Sequence, residues 1–305
     1  MTRTIKLSDG KVIPAIGWGN GTGGLFGNHD PAVENGIAAL KAGIYHIDTA
    51  ECYKTEEATA EAIKQAGVKR EDIWVTTKTP FAGLSGIDEI RSNVNQRIKL
   101  LGFKPDLLLL HFPTVPKEGT TSEFWTQFED LVYDGTLEGV SLGVSNFRPQ
   151  DLEAVLKVAR IKPVVNQLEY HPYVLEHIQP VLDISEKNNI VIESFGLLTP
   201  ILRHPTGGPL KAVLEKIAQR LSKDTGKDID IATVLTLWTI QKGVVAVTSS
   251  RNPDNLKKFK DIDELPDLKP EEVKEIEQVG RKIHFRHYKG HMSKDFPNPD
   301  LPEDI

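Results

Sequence analysis

The sequence has one cysteine, Cys52, and two methionines among its 305 residues. A single cysteine excludes an internal disulfide and a zinc site built on cysteine thiolates. The formal net charge is -6 and no basic run exceeds a few residues, so a nucleic-acid partner, whose phosphates require clustered Lys and Arg, is not expected. No long apolar span occurs, and the first residues lack an apolar signal core. We therefore expect a cytoplasmic protein with no membrane partner.

The sequence does contain short apolar runs that alternate with amphipathic segments. It opens on a predicted β-hairpin, in which Thr4–Leu7 and Lys11–Ile13 flank a turn at 8–10. The later runs are almost continuously apolar, as strands are when both faces of a sheet are buried. The predicted strands are 15–19, 44–48, 73–78, 107–111, 140–144, 164–167, 190–194 and 244–248.

Helical periodicity occupies the segments between these strands. Eight strands alternating with helices, in a chain of this length, predict an α/β fold. The predicted architecture is a single (β/α)8 TIM barrel domain that spans residues 1–305, with an N-terminal β-hairpin. The stretch from about Lys282 is rich in His, Pro and Asp and is predicted to form a C-terminal loop or tail. The predicted helices include 31–42, 56–65, 88–101, 122–133, 149–159, 178–188 and 231–241.

Polar side chains stand at or just after the C-terminal ends of these strands. In a TIM barrel those ends form one rim, where active sites lie. Asp and Lys are rarely buried without a partner, so titratable groups on three successive strands indicate one shared pocket. His46, two residues before Asp48, shares its strand face and is expected to belong to a hydrogen-bonded interior layer. The rim residues are Asp48, Lys78, His111, Asn146, Gln167 and the group Thr248–Arg251.

Four side chains near this rim suit proton donation to a carbonyl group. Tyr53 is a poor acid at its ordinary pKa of about 10, and a nearby lysine lowers the pKa of a phenol, so we expect Lys78 to activate Tyr53. Asp48 is expected to keep Lys78 charged and oriented, and His111 to hydrogen-bond a substrate oxygen. No protein side chain supplies a hydride, so this set implies a nicotinamide cofactor.

Four stretches resemble the aldo-keto reductase superfamily, and the resemblance extends over nearly the whole chain. They are GIYHIDTAECYKTEE at 43–57, VTTKTP at 75–80, LLLLHFP at 107–113 and DLVYDGTLEGVSLGVSNF at 130–147. The resemblance implies a barrel, monomeric or a weak homodimer, that binds NADPH across its rim. It also implies transfer of the pro-R hydride to a small-molecule carbonyl substrate. The catalytic residues that it implies are Asp48, Tyr53, Lys78 and His111, with Tyr53 as the proton donor.

The same resemblance implies a set of cofactor residues. Ser145, Asn146 and Gln167 match the residues that hold the nicotinamide carboxamide, and Phe195 matches the aromatic residue that stacks on the nicotinamide ring. The strand-eight motif reads Val-Thr-Ser-Ser and lacks the usual lysine, so Arg251 is the best candidate for the 2′-phosphate. The complete set is Ser145, Asn146, Gln167, Phe195, Gly196, Leu197, Thr248, Ser249, Ser250 and Arg251.

Three positions are expected to shape the substrate pocket. Gly21 stands where many aldose-type reductases have a tryptophan, Phe112 follows His111 in place of a tryptophan, and Trp18 is expected to reach the pocket from the first strand. The IGWGNGTG loop and the VTSS stretch resemble a fungal branch that reduces conjugated polyketones and α-keto lactones or amides. A vicinal dicarbonyl is therefore the expected substrate. The alternatives are a general aldehyde or aldose reductase and a non-catalytic NADPH-binding regulatory subunit.

A glycine-rich stretch permits a different fold. Residues 19–24 contain G-x-G-x-x-G, and Asp48 ends the next strand, which together mimic the fingerprint of a Rossmann dinucleotide-binding domain. That fingerprint requires its last glycine to open a helix. Residues 25–29 intervene before the predicted helix start at Asp30, so we interpret the glycines as a flexible loop that lines the pocket.

Two further motifs permit other chemistry. Cys52 has no recognisable activating group, and we interpret it as a small residue beside Tyr53 rather than a nucleophile. His284, His287 and His291 have ligand-like spacing, but two cationic residues among them would repel a metal ion. We therefore predict no metal site there.

Overall fold

The computed structural model of the protein describes residues 2–288 and Met292. Two short antiparallel strands, β1 (Thr4–Lys6) and β2 (Val12–Pro14), form the predicted hairpin. Buried Leu7 and Ile13 project from the hairpin into an apolar cluster inside the barrel, so the hairpin closes one end of it. The barrel residues in that cluster are Trp74, Leu107, Leu109, Val164, Val165 and Val245.

Within the described residues, eight parallel strands close into a barrel in sequence order, with the last strand paired to the first. Each strand lies within two residues of its predicted bounds, and the predicted TIM barrel is confirmed. The strands are β3 (Ile16–Gly19), β4 (His46–Asp48), β5 (Trp74–Lys78), β6 (Leu107–Leu110), β7 (Ser141–Ser145), β8 (Val165–Glu169), β9 (Val191–Phe195) and β10 (Val245–Thr248).

Helices surround this barrel, and each of the predicted ones is present. Because α1 begins at His29, the last glycine of 19–24 does not open a helix, and the Rossmann alternative is wrong. Within the described part of the chain, no helix is both long and apolar enough to cross a membrane. The helices are α1 (His29–Lys41), α2 (Glu56–Ala66), α3 (Gly86–Leu101), α4 (Thr121–Tyr133), α5 (Pro149–Leu156), α6 (Leu175–Lys187), α7 (Thr199–Leu202), α8 (Leu210–Thr225), α9 (Ile231–Gln241), α10 (Pro253–Asp261) and α11 (Pro270–Gly280).

The barrel interior changes from apolar to polar along its axis. Alternate residues of each strand point inward, so the interior is built in layers. Above the apolar cluster at the hairpin end lies a polar layer, in which His46 Nε2 stands 3.0 Å from Thr76 Oγ1. The hydrogen-bonded interior position predicted for His46 is confirmed. The next layer contains Asp48 and Lys78, so the strand order itself brings these two side chains together.

Candidate active site

A buried ion pair lies at the centre of the rim. Lys78 ends β5, and its Nζ donates to Asp48 Oδ1 at 2.6 Å and to the Thr49 carbonyl oxygen at 2.9 Å. The Lys78 side chain is fully buried. Burial is the largest single influence on the pKa of Lys78 and lowers it, but the acidic groups around Lys78, Asp48 foremost, together outweigh burial and raise the pKa. Lys78 is therefore a fixed positive charge at the base of the site.

Tyr53 lies beside this pair, in a 3-10 turn (Glu51–Tyr53) that follows β4. Lys78 Nζ is 5.0 Å from the centroid of the Tyr53 ring. Burial raises the pKa of Tyr53 to about 12, and Lys78 offsets only part of that rise. The expectation that Lys78 lowers the pKa of Tyr53 below its ordinary value is wrong in net effect, because desolvation is the larger influence. The phenol is protonated at neutral pH, as a proton donor must be.

His111 follows β6 and completes the group. Its ring meets the Tyr53 ring edge-on, with centroids 5.8 Å apart. Burial, assisted by the charge of Lys78, holds the pKa of His111 well below its ordinary value, so the imidazole is neutral. Cys52 Sγ lies 3.7 Å from Nδ1 of this ring. Among the described residues, the other ring nitrogen, Nε2, has no hydrogen-bond partner, and His111 lines the cleft described below.

The thiol of Cys52 is not set up as a nucleophile. Burial raises the pKa of Cys52 to about 11, so the neutral thiol predominates at physiological pH. A thiolate, not a thiol, is the reactive form of cysteine. The structure therefore agrees with the interpretation of Cys52 as a small neighbour of Tyr53.

A cleft of about 530 Å³ opens above Asp48, Tyr53 and His111. Gly21, in the loop after β3, lies directly against the tyrosine. A Cβ atom added at Gly21 would stand 2.5 Å from Tyr53 Cε2. Any side chain at position 21 would displace the tyrosine ring or the loop, so this close approach requires glycine. A tryptophan at this position, which the family resemblance would lead one to expect, does not fit beside Tyr53.

One wall of the cleft is aromatic. The ring centroid of Phe112 is 5.2 Å from that of Phe81 and 5.3 Å from that of His111. Phe26, across Tyr53, is 6.0 Å from the tyrosine ring. Phe26 and Phe81 are 50% and 45% exposed, so their faces are open to a ligand. The sequence pattern identified Phe112 but missed Phe26 and Phe81. The signal that could have found them is a large apolar residue in a loop after a strand end.

Trp18 does not take part in the cleft. Its side chain is buried, Nε1 donates to the Ser250 carbonyl oxygen at 3.1 Å, and the ring lies near Gly36 on α1. The adjacent Gly17 faces inward instead, since a Cβ added there would meet His46 at 2.8 Å. The prediction that Trp18 reaches the pocket is therefore wrong, and Gly19 lines the cleft from this strand.

Ser145, Asn146 and Gln167 line the cleft next to the ion pair. Asn146 Nδ2 donates to the His111 carbonyl oxygen at 3.1 Å, and Ser145 Oγ donates to the Gln167 carbonyl oxygen at 2.9 Å. Gln167 Nε2 donates to Asp48 Oδ2 at 2.8 Å, a contact that the sequence did not predict. Within the described residues, Asn146 Oδ1 and Gln167 Oε1 accept no hydrogen bond. Two open acceptors in one cleft fit the NH2 group of a nicotinamide carboxamide.

Of the other residues predicted to bind the cofactor, some line the cleft, whereas Ser250 and Arg251 do not. Ser250 is engaged elsewhere, because its Oγ accepts from the Asn252 N–H at 3.1 Å. Arg251 is exposed at the cleft edge beside Gly24 and makes no ion pair with any described residue. An uncommitted guanidinium there fits an anionic phosphate group. The members that line the cleft are Phe195, Gly196, Leu197, Thr248 and Ser249.

The C-terminal stretch covers part of the same cleft, which Tyr288 and Met292 line. Glu169, at the end of β8, holds this stretch in place: Oε1 accepts from the His287 N–H at 2.9 Å and Oε2 from the Tyr288 N–H at 3.2 Å. His291, one of the three histidines with ligand-like spacing, lies outside the described residues. Among residues 2–288 and Met292, no group of His, Cys, Asp and Glu side chains has the geometry of a metal site.

Comparison with known proteins gives consistent matches over most of the chain. A model of the aldo/keto reductase family matches residues 17–281. An NAD/NADP-dependent indole-3-acetaldehyde reductase of Schizosaccharomyces pombe is 31% identical over 93% of this chain and 98% of its own length. An NADPH-dependent alpha-keto amide reductase of Saccharomyces cerevisiae is 30% identical over 90% of this chain and 89% of its own length.

A solved structure shares the architecture described above. The crystal structure of a Bombyx mori aldo-keto reductase in complex with NADP superimposes with a TM-score of 0.82 at 27% identity. The match covers 98% of this chain and 99% of that one.

Proposed function

This chain belongs to the aldo/keto reductase family and is an NADP-dependent oxidoreductase, and from that premise we propose that it reduces a vicinal dicarbonyl compound, with Tyr53 as the proton donor. One observation carries the proposal. Tyr53, Lys78, Asp48 and His111 come from three strand ends and one turn, yet they meet at the base of a single cleft. A module that only binds NADPH has little need of a tyrosine held next to a buried lysine, which argues against the regulatory alternative.

Each of the four side chains has a distinct part in the reduction. His111 Nε2 hydrogen-bonds the carbonyl oxygen and orients it toward Tyr53. Tyr53 donates its phenolic proton as negative charge develops on that oxygen. Lys78 stabilises the phenolate that remains, and Asp48 keeps Lys78 charged and in place. NADPH, when bound, supplies the hydride, and the family resemblance implies that this is the pro-R hydrogen.

The substrate class is supported by the cleft and by the relatives. The alpha-keto amide reductase of Saccharomyces cerevisiae supports a vicinal dicarbonyl substrate. The Schizosaccharomyces pombe relative supports the second candidate, an aldehyde, because the exposed rings of Phe26 and Phe81 suit the aromatic group of indole-3-acetaldehyde. A monomer or weak homodimer in the cytoplasm stays the prediction from sequence.

An NADPH oxidation assay separates these candidates. We expect isatin, an α-keto lactone and an α-keto amide to give values of kcat/KM about tenfold above those of indole-3-acetaldehyde and simple aldehydes. NADPH deuterated at the pro-R position should transfer its label to the product, and NADPH deuterated at the pro-S position should not. The reverse order of substrates would favour a general aldehyde reductase. Tight NADPH binding without turnover of any carbonyl would favour the regulatory subunit.

Arg251 should distinguish NADPH from NADH. Because a hydrogen bond to a charged group contributes roughly 1.5–3 kcal/mol, Arg251→Ala is expected to raise KM for NADPH by about tenfold or more. KM for NADH, which lacks the 2′-phosphate, should change by less than about twofold. Lys257→Ala is the matched control, since Lys257 is a nearby cation already paired with Asp261. A larger loss of NADPH affinity in Lys257→Ala would show that Arg251 is the wrong residue.

A further inference from the structure

A second carboxyl group lies beneath the Asp48–Lys78 pair. Glu193, in the middle of β9, is fully buried and points into the barrel. His46 Nε2 is 3.6 Å from Glu193 Oε1, and the side-chain amide of Gln167 lies between this carboxyl and Asp48. Neither carboxyl oxygen of Glu193 reaches a hydrogen-bond partner at normal geometry among the described residues. The reduction derived above makes no use of this group.

The charges inside the barrel decide the state of Glu193. Lys78 supplies one positive charge, and Asp48, 2.6 Å away, balances it. Burial lowers the pKa of His46 to about 4, so His46 adds no positive charge at neutral pH. A second ionised carboxylate in the buried barrel interior would have no further cation to balance it among the described residues, which is strongly unfavourable. Glu193 therefore holds a proton, in agreement with burial and the charge of Asp48, which raise its pKa to about 8.

We propose that Glu193 is a positioning residue for carbonyl reduction: its protonated carboxyl keeps the Asp48–Lys78 pair balanced, and its ionisation sets the alkaline limit of activity. This inference rests on the function proposed for the same site. Ionised Glu193 places a second negative charge near Lys78, which weakens the stabilisation that Lys78 gives to the Tyr53 phenolate. Ionised Glu193 also repels Asp48, the residue that orients Lys78.

Glu193 is the group inside the barrel whose pKa lies between the lowered pKa of His46 and the raised pKa values of Lys78 and Tyr53. Strand β10 pairs with β9 on the side away from β8, and β3 is the next strand of the barrel. Neither β10 nor β3 carries a titratable residue. Strand β8 carries the neutral amide of Gln167 and, further up, Glu169, whose pKa is lowered by His171 and Arg286 against the effect of burial. The titratable groups on β4 and β5 are His46, Asp48 and Lys78.

Glu56 is a second carboxylic acid near the site whose pKa is raised, and it provides a matched control. Burial raises the pKa of Glu56 to about 7. Glu56 Oε2 is 3.0 Å from Arg97 Nε, and Oε1 accepts from Thr77 Oγ1 at 2.7 Å. Thr77 points away from the barrel interior, because it adjoins the inward-facing Lys78 on β5. Glu56 thus lies outside the barrel, on the outer face of β5, and next to the cation Arg97. Glu193 lies inside the barrel and forms no ion pair with a lysine or arginine among the described residues.

The experiment compares kcat across pH in the wild type, Glu193→Gln and Glu56→Gln. We expect the wild-type kcat to fall by about three- to tenfold between about pH 7 and pH 9. Glu193→Gln keeps a neutral side chain of the same shape, so its kcat should equal the wild-type value near pH 7 and stay level to about pH 9. Glu56→Gln should retain the fall. Glu193→Met, also neutral, serves in place of Glu193→Gln if that variant does not fold.

The pH dependence of stability gives a second readout that does not involve turnover. Glu193 holds its proton in the folded state and loses it on unfolding, so its contribution to stability is lost as pH rises through about 8. The Tm of Glu193→Gln minus that of the wild type should therefore increase up to about pH 8 and then level off. Groups common to both proteins cancel in this difference.

Three outcomes overturn the proposal. One is a wild-type kcat that is level between about pH 7 and pH 9. The second is a Glu193→Gln profile that superimposes on the wild-type profile, and the third is a fall that disappears in Glu56→Gln instead. Failure of the proposed function looks different: no carbonyl is reduced at any pH, while the Tm difference still reports the proton on Glu193.

Discussion

Tyr53→Phe is expected to lower kcat for carbonyl reduction by about 10²–10⁴-fold, the contribution usual for a positioned general acid. Phenylalanine keeps the ring that packs against Gly21 and stands edge-on to His111, and it removes only the hydroxyl. The Kd for NADPH and the Tm should therefore stay close to the wild-type values. Steady-state kinetics with the best substrate of the panel, together with fluorescence titration of NADPH, measure the two quantities separately.

Tyr133→Phe is the matched control for this change. Tyr133 lies at the end of α4, is 62% exposed, and packs its ring against Arg160. It lies on the outer surface and does not line the cleft. The same atom is deleted, and kcat should not change. A Tyr53→Phe variant that kept most of its activity would show that another group donates the proton.

Lys78→Met is expected to reduce both activity and stability. Without the ammonium group, the phenolate of Tyr53 loses its stabilising charge, so kcat should fall by about 10²–10⁴-fold. The substitution also leaves Asp48 buried, with the amide of Gln167 as its remaining donor. Breaking a buried pair by removing one partner typically lowers the free energy of unfolding by about 3–5 kcal/mol. Urea denaturation followed by circular dichroism measures that loss.

The double variant Lys78→Met/Asp48→Asn separates the two effects. It removes both charges of the pair, so most of the lost stability should return, because no unbalanced carboxylate remains. Activity should stay at the level of Lys78→Met, since the charge beside Tyr53 is still missing. If the double variant regained activity together with stability, the role of Lys78 would be structural rather than catalytic.

Much of the site was predictable because it lies where the strands end. Asp48, Lys78 and His111 each follow an apolar run, and the barrel fold places all such ends on one rim. Glu193 is also visible in the sequence, as a carboxylate that directly follows the apolar residues 190–192 of a predicted strand. The sequence alone does not assign Glu193 a role, because a single charged residue in a strand does not reveal whether it faces inward or which charges it meets.

The sequence by itself determined the barrel, the rim and the types of group that meet there. Strands that are buried on both faces are apolar along almost their whole length, so continuous apolar runs in the sequence mark where these strands lie. Only the tertiary structure decided that Trp18 points away from the cleft, because which face a strand residue occupies depends on the strand's pairing. It also decided the pKa of Tyr53 and the proton on Glu193. Those depend on how much water is excluded and on charges brought close by folding, as when Gln167 meets Asp48 across 119 residues of chain.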